Sequence, residues 1–239
     1  MKILAPAKIN LCLDILGKDS SGYHEVQTIF HEYPELSDEL EILETDEPDN
    51  VEILNQELFH SINPEDNLAY EVIQLLKERF DISQNILIRI IKKIPIASGL
   101  GGASSDAAAT LKALNELWDL NLSTDELQAL AAELGMDVPY FILCGTAHGT
   151  HFGEKIMPLK PIKGLKFRVL PQSSADAKKT AIAYSQLDLS KCGLHTAQTE
   201  ACLEAIERGD NAAILENLHN DFGKNLCGSG PSKFNSSAS

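Results

Sequence analysis

The chain has 239 residues, with 20 lysines and arginines against 35 aspartates and glutamates, a formal charge of −15. So acidic a balance argues against a nucleic-acid or anionic-membrane surface, because neutralising phosphates requires clustered Lys and Arg. Hydrophobic content of 44% lets it bury a core as one large domain or two small ones, and no apolar run approaches the ~20 residues that span a bilayer.

Every odd residue from 3 to 15 is apolar, while Lys2, Lys8, Asn10 and Asp14 fall on even positions. That period of two predicts a half-buried strand with Lys8 and Asn10 on one face. The start carries no basic and apolar regions of a signal peptide, so a cytoplasmic protein is expected. Residues 17–22 read as a turn and 26–30 as a second strand. Residues 40–43 and 51–54 read as short strands around an acidic turn at 46–50. Asp66 is placed to cap a helix through Leu68, Val72, Leu75 and Leu76.

A β-branched segment, 86–91, then runs into Pro95-Ile96-Ala97-Ser98-Gly99-Leu100-Gly101-Gly102-Ala103-Ser104-Ser105-Asp106. Glycines open backbone conformations closed to other residues and let N–H groups crowd around an anion. The helix pattern behind the loop (Ala107, Leu111, Leu114, Trp118) adds unpaired N–H groups and a partial positive charge. Ser104 and Ser105 can cap that helix or give hydroxyls to a phosphate and its metal. The run has neither the ending of a P-loop nor the dinucleotide spacing. Its plain alternative is a tight strand-to-helix turn. Lys92 and Lys93 stand beside it as phosphate neighbours or as solvated lysines at a strand end.

Further on, Ser123-Thr124-Asp125-Glu126 is a capping box for a helix over 127–134, and Gly135 supplies its stop. Val138-Pro139 can open another helix. Residues 155–164 form the expected domain boundary. A strand at 166–170 follows, then helices at 180–187, 199–208 and 211–218. The five cysteines (Cys12, Cys144, Cys192, Cys202, Cys227) show no metal spacing, so they read as core residues in a reducing compartment, with no structural metal. Strands and helices without regular βαβ alternation predict an α+β fold.

Residues Pro95 to Ser105 resemble the second signature of the GHMP small-molecule kinases, and Pro6-Ala7-Lys8-Ile9-Asn10-Leu11 resembles their first. Gly22-Tyr23-His24, Gln27-Thr28-Ile29-Phe30 and Gly135-Met136-Asp137-Val138-Pro139-Tyr140-Phe141 narrow the likeness to members whose acceptor alcohol carries a cytidylyl group. The resemblance implies a two-subdomain α+β fold. Its N-terminal part, 1–158, would resemble ribosomal S5 domain 2, and its C-terminal part, 164–239, would be a shortened ferredoxin-like domain. The implied activity is phosphorylation, by ATP, of the 2-hydroxyl of a cytidine-diphosphate-linked methylerythritol in the non-mevalonate isoprenoid route. The partner is then a small-molecule substrate, with no nucleic acid or membrane, on a monomer or homodimer.

The same resemblance implies the site. The loop from Pro95 to Ser105 would cradle the ATP phosphates, with Mg²⁺ carried on them and held in part by Ser104 or Ser105. Asn67 would meet adenine. Asp137 would take the hydroxyl proton, with Lys8 holding it charged and oriented. Asn10 would touch the substrate. Tyr23 would stack on cytosine, His24 would hydrogen-bond it, and Tyr184 would close the other side. Each has a plainer alternative: a turn cap for Asp137, a strand-edge surface lysine for Lys8, a helix cap for Asp66 and Asn67, a core pair for Tyr23 and His24. The family's third signature corresponds to Gly228-Ser229-Gly230-Pro231-Ser232. Relatives place a helix and a loop before it and continue beyond it, so two pieces of the C-terminal domain are expected to be missing. Two other functions stay open: a kinase of this family with another alcohol as acceptor, and a non-catalytic nucleotide-binding remnant.

Overall fold

A computed structural model describes residues 1–20, 22–55, 63–168 and 187–222. They divide into two compact units, one of Met1–Ala7, Pro34–Ile96 and Gly101–Leu143, the other of Lys8–Tyr33, Ala97–Leu100 and Cys144–Ser239. The long strands β1 (Lys2–Lys18) and β2 (His24–Thr45) give residues to both. β2 is continuous, so residues 26–30 and 40–43 belong to one strand rather than two. Pro34, which lacks an N–H, falls between the ladders at Thr28–His31 and Glu39–Thr45 and breaks neither.

In the first unit β3 (Asn50–Ile53) pairs in parallel with β4 (Asn85–Ile91), which pairs antiparallel with Glu39–Thr45 of β2. Ile86, Ile88 and Ile90 of β4 are fully buried while Ile91 is exposed, the period-two pattern of a sheet with one covered face. Among the described residues this unit also holds α1 (Leu68–Phe80), between β3 and β4, and then α2 (Gly102–Leu117), α3 (Thr124–Leu134) and α4 (Val138–Leu143). α2 contacts the other three, and its buried Ala107, Ala108, Ala109 and Ala113 let them approach closely. Asn67, not Asp66, caps α1: its side-chain oxygen accepts from the Ala69 N–H at 2.9 Å. Asp66 lies in the 3₁₀ turn just before. The capping box forms as expected, with Ser123 N–H donating to Glu126 Oε2 at 2.8 Å. Gly135 ends α3 in extended backbone, φ 167°, so the stop does not use glycine's left-handed freedom.

In the second unit β5 (Thr146–Thr150) pairs antiparallel with Thr28–His31 of β2 and with β6 (Lys155–Pro158). α5 (Thr196–Arg208) and α6 (Asn211–Glu216) lead into β7 (His219–Asn220), which runs parallel to β1 at Cys12 and Leu13. Leu13, Ile15 and Val26 form a core cluster against Leu187, Cys192 and Phe222. β1 is not half-buried as its alternation predicts: every residue from 7 to 15 is buried. Its polar face is covered because its polar groups find partners. Thr199 Oγ1 donates to Asp14 at 2.6 Å, and His219 Nε2 lies 3.1 Å from the same carboxylate. Burial opposes charge on both, but the hydrogen bonds outweigh it, lowering the Asp14 pKa and raising that of His219.

α5 begins three residues before the expected 199, and α6 ends at Glu216 rather than 218. Residues 166–168 are not strand. The remainder of that expected strand, most of the helix at 180–187 with Tyr184, Cys227, and the third signature (Gly228 to Ser232) lie outside the described residues. No helix among the described residues is long and apolar enough to cross a membrane.

Candidate active site

The glycine-rich loop leaves β4 and enters α2 through three left-handed residues, Ala97 (φ 54°), Gly99 (φ 74°) and Gly101 (φ 76°). Gly101 is the residue before the helix and offers no side-chain cap, so the serines do not cap it. Ser104 and Ser105 sit inside the first turn instead, where the Ser105 N–H already donates to Gly101 O at 2.8 Å. A helix start without a side-chain cap presents N–H groups that an anion satisfies. A Cβ on Gly102 would lie 3.0 Å from Ile94 Cγ2 and 3.3 Å from Lys92 Nζ, so the helix start packs tightly on the segment after β4 and a side chain there would make those neighbours give by a few tenths of an ångström.

Below the loop, in the first unit, Lys92 is buried and its Nζ forms ion pairs with Asp38 and with Asp106, the latter at 2.7 Å. Asp38 also accepts the N–H groups of Lys93 and Ile94, while Lys93 Nζ pairs with exposed Glu39. Both lysines are therefore engaged by carboxylates, Lys92 in a buried cluster and Lys93 at the surface. They tie the end of β4 to β2, and Lys92 also ties it to the first turns of α2. Two carboxylates share one buried ammonium, so burial, only partly offset by Lys92 and reinforced by the like charge of Asp38, pushes Asp106 up to about 7. An acid raised in the folded state holds its proton more tightly there than when unfolded. Its contribution to stability is complete at low pH and is lost as pH climbs from about 4, the unfolded carboxylate value, through about 7. Asp106→Asn should flatten the fall in stability between pH 5 and pH 8, read by denaturant unfolding at each pH. Parallel pH profiles for the two proteins would refute this.

Asp137, half-buried, occupies the turn between α3 and α4, with Val138 and Pro139 opening the latter. Asn67, which caps α1, uses its side-chain oxygen to accept the Ala69 N–H, and its amide nitrogen has no part in that cap.

In the second unit Lys8 and Asn10 share a face, as the alternation of β1 predicts, and both are buried. Lys8 Nζ donates to Asn10 Oδ1 at 2.7 Å, Asn10 Nδ2 donates to Thr28 Oγ1 at 2.7 Å, and Thr28 Oγ1 donates to Cys12 O at 2.7 Å. The Lys8 backbone N–H donates to Leu100 O of the glycine loop at 2.9 Å. At 5% exposure Lys8 is no surface lysine. Its Nζ lies 5.0 Å from the centre of the Phe30 ring, within cation–π range.

Neither Thr28 nor Phe30 was assigned a role from sequence, although an isolated glycine in a strand signals close approach of a neighbour. Gly149 of β5 lies opposite Thr28, and a Cβ there would stand 2.6 Å from Phe30 Cε2 and 3.0 Å from Thr28 Cγ2. Gly149→Ala should therefore displace the two side chains that flank the Lys8–Asn10 pair. An overpacking cost of about 1–3 kcal/mol is expected in chemical denaturation, and unchanged stability would show that the strand yields freely.

Tyr23 is 53% exposed, which removes the core-pair alternative for it, and His24 is half-buried beside it. Burial, aided by Lys18, lowers the His24 pKa, so near neutral pH its ring is uncharged and carries one donor and one acceptor.

Comparison with known proteins places these groups in context. Residues 67–145 match the model of the GHMP kinases N terminal domain. The chain is 43% identical over 225 residues to the 4-diphosphocytidyl-2-C-methyl-D-erythritol kinase of Bacillus cytotoxicus, covering 92% of this chain and 74% of that one. A solved 4-(cytidine 5′-diphospho)-2C-methyl-D-erythritol kinase superposes with a TM-score of 0.64 at 32% identity, over 87% of this chain and 72% of its own. The phosphomevalonate kinase of Streptococcus pneumoniae, solved with phosphomevalonate and AMPPNP, superposes with a TM-score of 0.66. It is 15% identical, over 91% of this chain and 77% of its own, and so shares the fold alone.

Proposed function

This chain belongs to the family of 4-diphosphocytidyl-2-C-methyl-D-erythritol kinases, and from that premise we propose that it moves the γ-phosphoryl group of ATP onto the 2-hydroxyl of 4-diphosphocytidyl-2-C-methyl-D-erythritol. The step belongs to the non-mevalonate route to isoprenoid precursors. The observation that carries the reading is the setting of Lys8: a buried ammonium hydrogen-bonded to Asn10, on a backbone tied to the glycine loop. Lysine is rarely buried without a partner or a task, because desolvating its charge is costly.

In this reading the N–H groups of residues 95–105 cradle the phosphates, where preorganised dipoles stabilise charge without rearranging during the reaction. Asp137 takes the proton of the acceptor hydroxyl as its oxygen bonds to the γ-phosphorus and ADP leaves. Lys8 assists Asp137 in that step, and Asn10 contacts the acceptor. Tyr23 stacks on cytosine, His24 bonds its edge, and Tyr184 closes the other side. Asn67 meets adenine.

Mg²⁺ takes oxygen ligands, and two oxygens on the first turns of α2 suit it: Ser105 Oγ and Asp106 Oδ1 are buried with no hydrogen-bond partner among the described residues. The residues present fit the ion, with Ser104 or Ser105 the hydroxyl that would hold it. When bound it neutralises phosphate charge.

The test is ADP release from ATP and Mg²⁺ with and without the cytidylyl acceptor. Turnover that requires the acceptor supports the reading, and ATP binding without turnover overturns it. Tyr23→Ala should raise the KM for the acceptor with the KM for ATP unchanged. An equal loss for both would make Tyr23 structural.

A further inference from the structure

Two turns of the second unit bring three rings together. Tyr23, between β1 and β2, has its ring centre 5.3 Å from that of Phe152, between β5 and β6, with the planes tilted 35°. Phe152 lies in turn 3.8 Å from His151. Both turns are pinned by their backbones. Asp19 accepts the Tyr23 N–H at 3.2 Å through its side chain and donates its own N–H to Tyr23 O at 2.9 Å. Glu154 accepts the Phe152 N–H at 2.9 Å and also bonds His151 Nδ1. The start of β2, just past the first turn, is joined to the second by Val26 N–H donating to His151 O at 2.7 Å. His151 adopts φ 65° and Gly153 φ 105°, left-handed conformations that turn the chain sharply on either side of Phe152.

An exposed tyrosine loses side-chain entropy when a flat ligand stacks on it. A ring held against its face or edge reduces that loss by restricting the tyrosine beforehand, and ring centres 4.5–7 Å apart attract. We propose that Phe152 is a positioning residue for Tyr23 and thereby sets the affinity of this chain for the cytosine of the acceptor. The assignment rests on the function given above. Phe152 acts through Tyr23, touching neither ATP nor the reacting hydroxyl, so it governs acceptor binding and leaves the chemical step alone.

The test uses the full chain and two readouts: calorimetric titration with cytidine 5′-diphosphate, and acceptor-dependent ADP release. Phe152→Ala should weaken cytidine 5′-diphosphate binding and raise the acceptor KM about 2- to 10-fold, the range of an aromatic pair, with kcat and the KM for ATP unchanged. Phe152→Tyr, which keeps the ring, should restore both. Phe152→Leu, which keeps apolar bulk without the ring, should not, and it serves if the alanine variant fails to fold. In a Tyr23→Ala background, Phe152→Ala should add nothing. Unchanged affinity in both the alanine and leucine variants, equal losses for cytidine 5′-diphosphate and ATP, or additive losses in the double variant would each overturn the assignment. If wild-type protein binds no cytidine nucleotide, the assignment falls with base recognition itself. If it binds cytidine 5′-diphosphate through Phe152 yet phosphorylates only a non-cytidylyl alcohol, the function above fails and the ring pair stands.

Discussion

Asp137→Asn is expected to lower kcat by about 10²–10⁴-fold, the usual worth of a positioned base, while the protein folds and binds ATP normally. The substitution keeps shape and hydrogen-bonding reach at a half-buried turn position and removes only basicity. If Asp137 were merely a turn residue, asparagine would serve equally well and the rate would stay near normal. Single-turnover kinetics with the cytidylyl acceptor separate the two cases, since a base acts on the chemical step and leaves acceptor affinity in place.

Lys92→Met should cost the first unit about 3–5 kcal/mol of stability, because it strands two buried carboxylates without their shared counter-charge. Asp38 is fully buried and Asp106 nearly so, and neither can reach solvent without moving β2 or α2. Combining Lys92→Met with Asp106→Asn should recover part of the loss, since one surplus charge disappears. Lowering the pH should also narrow the gap as the stranded carboxylates take up protons. A destabilisation under about 1 kcal/mol at neutral pH, read from denaturant midpoints, would mean that water or rearrangement reaches these groups.

The two experiments probe different levels of legibility. Asp137 stands in a short segment, Gly135 to Phe141, whose order predicts its turn and the helix after it and whose resemblance to the family motif makes it a candidate base, so its candidacy needed no fold. The capping box at Ser123, the strand of isoleucines at 86–91 and the phosphate-loop geometry at 95–105 were equally local. Each depends on φ/ψ preferences or on period-two burial within about ten residues. Where local cues competed, the sequence misled. Asp66 and Asn67 are both good caps, and only the structure showed the helix starting after the second. Ser104 and Ser105 are good caps too, but the left-handed glycine at 101 starts the helix earlier.

The burial of β1 illustrates the same limit at longer range. Alternation in 3–15 predicts one wet face, and it is wrong because Thr28, Thr199 and His219 arrive from distant segments to satisfy Asn10 and Asp14. Asp38 is one acidic residue among several in residues 35–41, and nothing nearby marks it as the group that meets Lys92 and the N–H of Ile94.

By itself, then, the order of residues determined the glycine-rich loop and the motifs that mark the family, since these reside in short segments whose backbone preferences are set by neighbours in the chain, and the candidate chemistry is what the family resemblance implies for them. The tertiary structure alone decided which charges are buried, that Lys92 pairs with both Asp38 and Asp106, that Gly149 is crowded by Phe30, and that Phe152 meets Tyr23. Those outcomes depend on desolvation and on contacts between residues 14 to about 200 positions apart, and no local preference encodes either.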